Sequence, residues 1–423
     1  MATYANVSNQ VAALKELYTG DDYMKDLVYK KNPLLALIPK DESPSGFAGK
    51  YIPVPLIYGA PQGRSATFST AQSNQTAPQL QSFFVYRVSN YQLVTITNEL
   101  LEATKDNAGA FVDEAKLAMD TGFRNISNDL AFSLFASGTG SRGQVGSISA
   151  AAGVLTITLQ DAQSVVQFEV GMVLVGTLTD GGAVIATDTM TITSVDRTNG
   201  IIAGSYAGTP ASDWVAGTYL VVQGDIPSAG ASGTGSFLKV SGLAAWIPTV
   251  APSSSDSFWN VNRSYDVTRL AGVRFDGSGE PIQEALVDGA ALVAREGGQP
   301  DMCFMNFTSY AALEKELGAK VQYVDVKHDE ADIAFAGIRI HAPYGPITVI
   351  PDRSCPSKTC YLLQMDTWKF RSLGKAPHVL TYGLEGLEGI RVGNADALEI
   401  RIGFYGNLIC NAPGFNCVVK LNQ

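Results

Sequence analysis

The chain lacks the features that would place it in a membrane, in a secretory pathway or on bare nucleic acid. No apolar run approaches the roughly 18 to 20 residues of a membrane span. The opening MATYANVSNQ has no basic segment followed by an apolar one, so we expect a soluble protein made inside the cell. A net charge of −10 argues against sequence-independent nucleic-acid binding by the whole chain, although a local basic patch stays possible.

Residues that usually carry chemistry are scarce. The five cysteines form neither a CxxC pair nor an even set, which predicts buried free thiols. The three histidines are scattered, and the sequence contains no GxSxG, Walker or HExxH motif. We therefore predict no enzyme, with no catalytic residue, no cofactor and no metal ligand.

Two stretches imitate functional motifs. Residues 138–143 fit GxGxxG by letter, but a predicted helix precedes them and β-rich sequence follows, which is the reverse of a dinucleotide site. A glycine-rich helix exit is the better interpretation. The polar cluster Asp325, His328, Asp329, Glu330 and Asp332 lacks the spacing and turn glycine of a calcium loop, so we interpret it as a solvated loop.

What the sequence does contain is an extended loop followed by a long helix. Strand signals at 51–58 and 83–97 flank a Gln/Ser/Thr/Ala-rich middle that offers almost nothing to bury. A two-stranded ribbon is marginal in water by itself, so we expect it to lie on a neighbouring copy of the chain. An amphipathic helix follows, from a predicted N-cap at Thr97 to about residue 135. This order of elements indicates an assembly subunit.

The rest of the chain divides by composition. Residues 145–225 contain short β-rich runs separated by Gly, Asp and Asn, which predicts a small barrel or sandwich. This stretch holds seven acidic residues against the single base Arg197. A Gly/Ser/Ala linker follows, and from about residue 281 the pattern becomes α/β.

Several segments together resemble one family. They are the helix start Glu99-Leu100-Leu101-Glu102, the exit Gly138-Thr139-Gly140 with Gly143 and Gly146-Ser147-Ile148, the strand and helix 304–310 leading to Leu313, the closing 399–405, and Ala412-Pro413-Gly414-Phe415. In this order they resemble the major capsid proteins of tailed double-stranded DNA bacteriophages, which have the Hong Kong 97-like shell fold. The resemblance covers roughly three quarters of the chain.

The resemblance implies an α+β fold with seven consecutive parts. These are an N-terminal arm (1–45), an extended loop (46–97), a spine helix and its exit (98–144), an inserted small all-β domain (145–225), peripheral strands and linker (226–280), an axial domain (281–395) and C-terminal peripheral strands (396–423). The inserted domain departs from the minimal pattern of the family. Packaged phosphate would repel its seven acidic residues, so we expect it on the outer face of the shell.

The resemblance also implies function and partners. It implies a structural protein that assembles as hexamers and pentamers into an icosahedral head around non-specifically bound double-stranded DNA. It further implies a separate scaffolding protein, a portal and a decoration protein, with the chain in the host cytoplasm before assembly and in the virion afterwards. No lysine lies between Ala60 and Tyr86, so we do not expect the isopeptide cross-link of the family's type member.

Two groups of residues are the candidate contacts. For the intersubunit loop they are Gln62, Arg64, Phe68, Gln75 and Gln79, and for the DNA on the inner surface they are Lys15, Lys25, Lys30 and Lys31. Two alternatives stay open: a β-rich tail or adhesion protein, which sugar binding by 145–225 would favour, and an encapsulin-like nanocompartment shell, which a cargo pocket would reveal.

Overall fold

The computed structural model describes residues 32–43, 49–97, 108–185, 188–230, 237–318, 323–328, 331–380, 389–391 and 396–422. The helices in these ranges are α1 (Pro33–Leu37), α2 (Phe68–Ser73), α3 (Ala108–Phe135), α4 (Pro210–Asp213), α5 (Leu243–Trp246), α6 (Ile282–Arg295) and α7 (Phe307–Leu317). Among the described residues, no helix is long and apolar enough to cross a membrane.

The strands are β1 (Lys40–Asp41), β2 (Tyr51–Gly59), β3 (Gln79–Tyr86), β4 (Val88–Thr97), β5 (Ser141–Ala151), β6 (Val154–Leu159), β7 (Val173–Thr177), β8 (Thr189–Asp196), β9 (Ile201–Ala207), β10 (Tyr219–Val222), β11 (Val273–Gly277), β12 (Met302–Met305), β13 (Tyr323–His328), β14 (Ala331–Ala342), β15 (Gly345–Pro351), β16 (Thr359–Leu363), β17 (Trp368–Ser372), β18 (His378–Val379), β19 (Gly389–Arg391), β20 (Ala397–Cys410) and β21 (Cys417–Leu421).

These strands form four sheets. A six-stranded sheet has β20 at its centre, with β4 along one side and β17, β18 and β19 along the other, and β1 pairs with β17. A seven-stranded sheet has the order β11-β21-β16-β12-β15-β14-β13. Strands β5 to β10 close a barrel in the order β10-β5-β6-β9-β8-β7, and β2 pairs only with β3. The fold is thus mixed α+β with sheets predominating.

The predicted second strand of the extended loop, 83–97, is in fact two strands in different sheets. It is interrupted at Arg87, and β4 then pairs with β20 from Ala397 to Gly406. The side chain of Asn407 donates to the carbonyl of Tyr86 at 2.8 Å, next to the point where the chain leaves one sheet for the other. Only β2, β3 and the residues between them, 60–78, form the ribbon.

Helix α3 lies across the six-stranded sheet. Its 28 residues give a length of about 42 Å. Gly122 allows the close approach, because a Cβ there would meet Val94 at 2.8 Å and Ile402 at 3.1 Å. The predicted start of this helix, 98–107, lies outside the described residues. At its other end Gly138 and Gly140 have φ of +84° and +83°, as a glycine-rich helix exit requires.

The barrel has its own apolar core. Its centre includes Phe168 and Trp214, which are 0% and 1% exposed. Five of its six strands match the β-rich runs of the sequence, but β5 begins at Ser141 and continues straight from the helix exit. The barrel therefore starts four residues before the predicted boundary at 145.

The sheets cross the boundaries expected from the sequence. Strands β17, β18 and β19, placed in the axial segment 281–395, belong to the six-stranded sheet with β20. The last strand, β21, pairs with β11 and β16 in the seven-stranded sheet, which also carries α6 and α7. Each sheet is formed by strands that are far apart in sequence. The sheets therefore do not coincide with consecutive segments of the chain. Of the predicted polar cluster, Asp325 and His328 lie in β13 and Asp332 lies in β14, while Asp329 and Glu330 lie outside the described residues.

The end of the predicted arm belongs to the core. All five residues of α1 are buried, and the helix packs against α3. The backbone N–H of Leu34 donates to Asp352 at 3.2 Å, and burial raises the pKa of this carboxyl to about 6. Residues 1–31, which include Lys15, Lys25, Lys30 and Lys31, lie outside the described residues.

Candidate assembly surface

The ribbon is attached to the body of the subunit through one face of its strands. On this face Ile52 pairs with Val85 and Val54 pairs with Phe83, and all four side chains are buried. Phe83 packs against Trp246, with 5.2 Å between ring centroids. Such burial supplies the apolar contact that an isolated two-stranded ribbon lacks.

Two hydrogen bonds fix the same part of the ribbon. The N–H of Phe84 donates to the carbonyl of Trp259 at 3.0 Å. The guanidinium of Arg269 donates to the carbonyl of Tyr58 at 2.6 Å, close to the point where the strands leave the body. The direction in which the ribbon projects is therefore set by the subunit's own core.

The opposite face of the ribbon is apolar but exposed. Tyr51 contacts Phe84 with 4.7 Å between ring centroids, and its side chain is 41% exposed. Further out, the cross-strand pair Ile57 and Leu80 is 66% and 54% exposed. Exposed apolar residues in a continuous row on a strand pair are typical of a protein interface.

The tip of the ribbon is polar and carries α2. Gln62 and Thr76 close it, since Thr76 N–H donates to the Gln62 carbonyl at 3.1 Å and Gln62 N–H donates to the Thr76 hydroxyl at 3.0 Å. Phe68, the first residue of α2, is 83% exposed. The tip thus has its own internal structure, while an aromatic side chain points away from it.

The structure places all five predicted loop residues on the exposed part of the ribbon: Gln62, Arg64, Phe68, Gln75 and Gln79. Sequence reasoning missed Tyr51, Ile57, Leu80 and Phe84, which form the apolar row. Their signal is the continuous apolar run 51–58 together with Leu80 and Phe84 on the opposite strand, since a strand that is apolar on both faces has a second face to cover.

The acidic residues of the barrel are divided between contacts with the rest of the subunit and solvent. Three of them contact groups outside the barrel: Asp161, Asp180 and the half-buried Asp225. Asp188 is buried, Glu169 pairs with Arg197, and Asp196 and Asp213 are exposed without an ion pair among the described residues. The outward-facing barrel stays a prediction, because the fold of one subunit does not test it.

Comparisons with known proteins identify the architecture. Residues 223–382 match the family model described as SU10 major capsid protein. The capsid of cyanophage A-1(L) has a TM-score of 0.52 and 12% sequence identity, with 93% of each chain covered. No curated protein sequence matches the chain.

Two other shells also superimpose on the chain. The capsid of a native GTA particle has a TM-score of 0.43 and 10% identity, covering 92% of this chain and 90% of that one. The encapsulin of Synechococcus elongatus has a TM-score of 0.41 and 8% identity, covering 97% and 94%. The capsid family match, together with the fold shared with the cyanophage capsid, confirms the prediction that this chain is a structural major capsid protein of the tailed-phage type with the Hong Kong 97-like fold.

Proposed function

We propose that the chain builds a closed icosahedral head from hexamers and pentamers, with the ribbon as the contact between neighbouring copies. The single observation that carries this proposal is the apolar row on the outer face of the ribbon, whose other face is fixed to the core. In this row Tyr51, Ile57 and Leu80 are exposed and Phe84 is half-buried. A subunit that overlaps its neighbours in this way can bury more than the roughly 1,600 Å² of a standard interface.

The role we propose is structural. Stability of the shell comes from many weak contacts repeated around it, and such contacts close cooperatively. Double-stranded DNA, a scaffolding protein, a portal and a decoration protein are the further partners we propose, with the host cytoplasm as the site of synthesis.

Negative-stain microscopy of the purified full-length protein tests the proposal directly. We expect closed, isometric particles, or capsomers of five or six copies that close when the scaffold is supplied. A chain that stays monomeric or trimeric under both conditions would instead favour the tail or adhesion alternative. Shells that enclose a protein cargo and no DNA would favour the nanocompartment.

We also propose that Lys15, Lys25, Lys30 and Lys31 contact packaged DNA. Each lysine that neutralises a phosphate releases a counterion, so its contribution weakens as salt rises. Changing all four to glutamine should leave assembly intact and lower the salt concentration at which heads lose DNA. Changing Lys50, Lys315, Lys369 and Lys375 together is the control with equal charge loss. If heads of both variants retain DNA equally over a salt series, the four lysines do not contact the packaged DNA.

A further inference from the structure

The chain enters and leaves the barrel through one buried group of charges. Arg142, at the start of β5, pairs with Asp129 of α3 and lies 3.7 Å from Asp225, just beyond β10. Lys239 bridges the same two carboxylates, at 2.8 Å from Asp129 and 3.0 Å from Asp225. Asn90 of β4 donates to Asp129 at 2.5 Å. The group has two positive and two negative charges, so it is balanced.

Electrostatic interactions in this group hold both ends of the barrel segment, at Arg142 and at Asp225, next to α3. Burial raises the pKa of Asp129, but the charges of Arg142 and Lys239 outweigh it, and the pKa lies well below its ordinary value. Burial also raises the pKa of Asp225, which Lys239 only partly opposes. Removing one member would leave an uncompensated buried charge, which is far more costly than the loss of a surface ion pair.

A second contact joins the barrel to the exit of α3. Asp180 lies after β7, and its carboxylate accepts from the hydroxyls of Ser137 at 2.9 Å, Thr139 at 2.5 Å and Ser141 at 2.5 Å. Ser137 and Thr139 precede the barrel in sequence. This carboxylate therefore fixes the helix exit to the segment that follows β7.

A third contact reaches the seven-stranded sheet. Asp161 caps the 3₁₀ turn Ala162–Gln167 by accepting from the Gln163 N–H at 3.0 Å, and its other oxygen accepts from the Ser357 hydroxyl at 2.5 Å. Ser357 lies in the loop between β15 and β16. A cleft of about 540 Å³ lies between these contacts, and the barrel, α3 and the loop around Ser357 form its walls. Among the described residues, a small apolar cluster of Val175, Val221, Ile226 and Phe237 also joins the barrel to the rest of the chain, and Arg142 lies over the ring of Phe132.

We propose that the barrel is a brace that fixes the loop 353–358 of the seven-stranded sheet relative to the C-terminal end of α3. The barrel has a core of its own, so we treat it as one rigid unit, and three of its acidic residues make the contacts at its base: Asp161, Asp180 and Asp225. This role extends beyond shell formation and requires no partner molecule. It also explains why these three carboxylates face the rest of the subunit.

Hydrogen exchange of the full-length chain tests the brace. Ser357→Ala removes the hydroxyl donor and leaves the cap of the 3₁₀ turn in place, so exchange of the amides in 353–358 should rise at least tenfold. Asp180→Asn should raise exchange at 136–141 by a similar factor. In both variants the amides of β6, β8 and β9 should keep their wild-type rates, because the core of the barrel is unchanged.

Asp196→Asn and Asp213→Asn are the matched controls, since both residues are acidic, belong to the barrel and lie outside the three contacts. They should leave 136–141 and 353–358 unchanged. The brace is refuted if Ser357→Ala and Asp180→Asn give the same exchange as these controls, or if their effects stay within the barrel.

Discussion

A subunit without the ribbon tip is expected to fold normally and to form no closed shells. The change deletes residues 62–78 and introduces Ala60→Asn and Pro61→Gly. Gly59 and Gln79 are paired across the strands, so the new Asn-Gly pair closes a two-residue hairpin turn. The buried face of the ribbon stays intact, whereas the part that reaches beyond the subunit is lost. Thermal unfolding measures whether the subunit folds, and light scattering and negative-stain microscopy measure whether it forms closed shells.

The matching control carries Ala60→Asn and Pro61→Gly without the deletion. It should assemble like the wild type, because both residues lie at the exposed end of β2. If the deleted variant forms shells of normal size and stability, the ribbon tip is not an intersubunit element. If it fails to fold, the tip has a role within the subunit that its exposure does not indicate.

Two adjacent phenylalanines should separate folding from assembly. Phe83 is 0% exposed and packs against Trp246 and Phe258, so Phe83→Ala should lower the free energy of unfolding by about 3–5 kcal/mol. Phe84 lies on the other face against Tyr51, so Phe84→Ala should cost the isolated subunit only about 1 kcal/mol. We expect Phe84→Ala to reduce the yield or stability of shells instead.

Denaturant unfolding of the unassembled subunit and the yield of particles at fixed protein concentration measure the two effects. Because the residues are neighbours of the same type, the comparison is not disturbed by a difference in side-chain size. Equal losses of subunit stability would mean that both faces are buried within one chain. A normal shell yield from Phe84→Ala would exclude the outer face from the contact.

Local patterns predicted local elements well. Five of the six barrel strands, β6 to β10, appear where the β-rich runs of the sequence predict them, because Gly, Asp and Asn separate these runs. The sequence also placed all five loop residues on an exposed excursion. These properties depend on neighbouring residues, which a single sequence shows directly.

Properties that depend on distant residues could not be predicted. The division of 83–97 into β3 and β4 depends on β20, some 300 residues later. The burial of α1 depends on α3 and Asp352. Likewise, composition gives the net charge of the barrel but not the direction of its side chains. Asp161 and Asp180 point toward Ser357 and toward the exit of α3, which lie outside the barrel.

The pairing of β4 with β20 also determines the order of events during synthesis. When β4 leaves the ribosome its partner does not yet exist, and chains whose contacts are distant in sequence fold slowly. The attached side of the ribbon packs partly on residues of β20, so it cannot settle until that strand has been made. A nascent chain therefore lacks a correctly directed ribbon. With the ribbon as the contact between copies, we expect a chain to become competent for polymerisation only after β20 has been made.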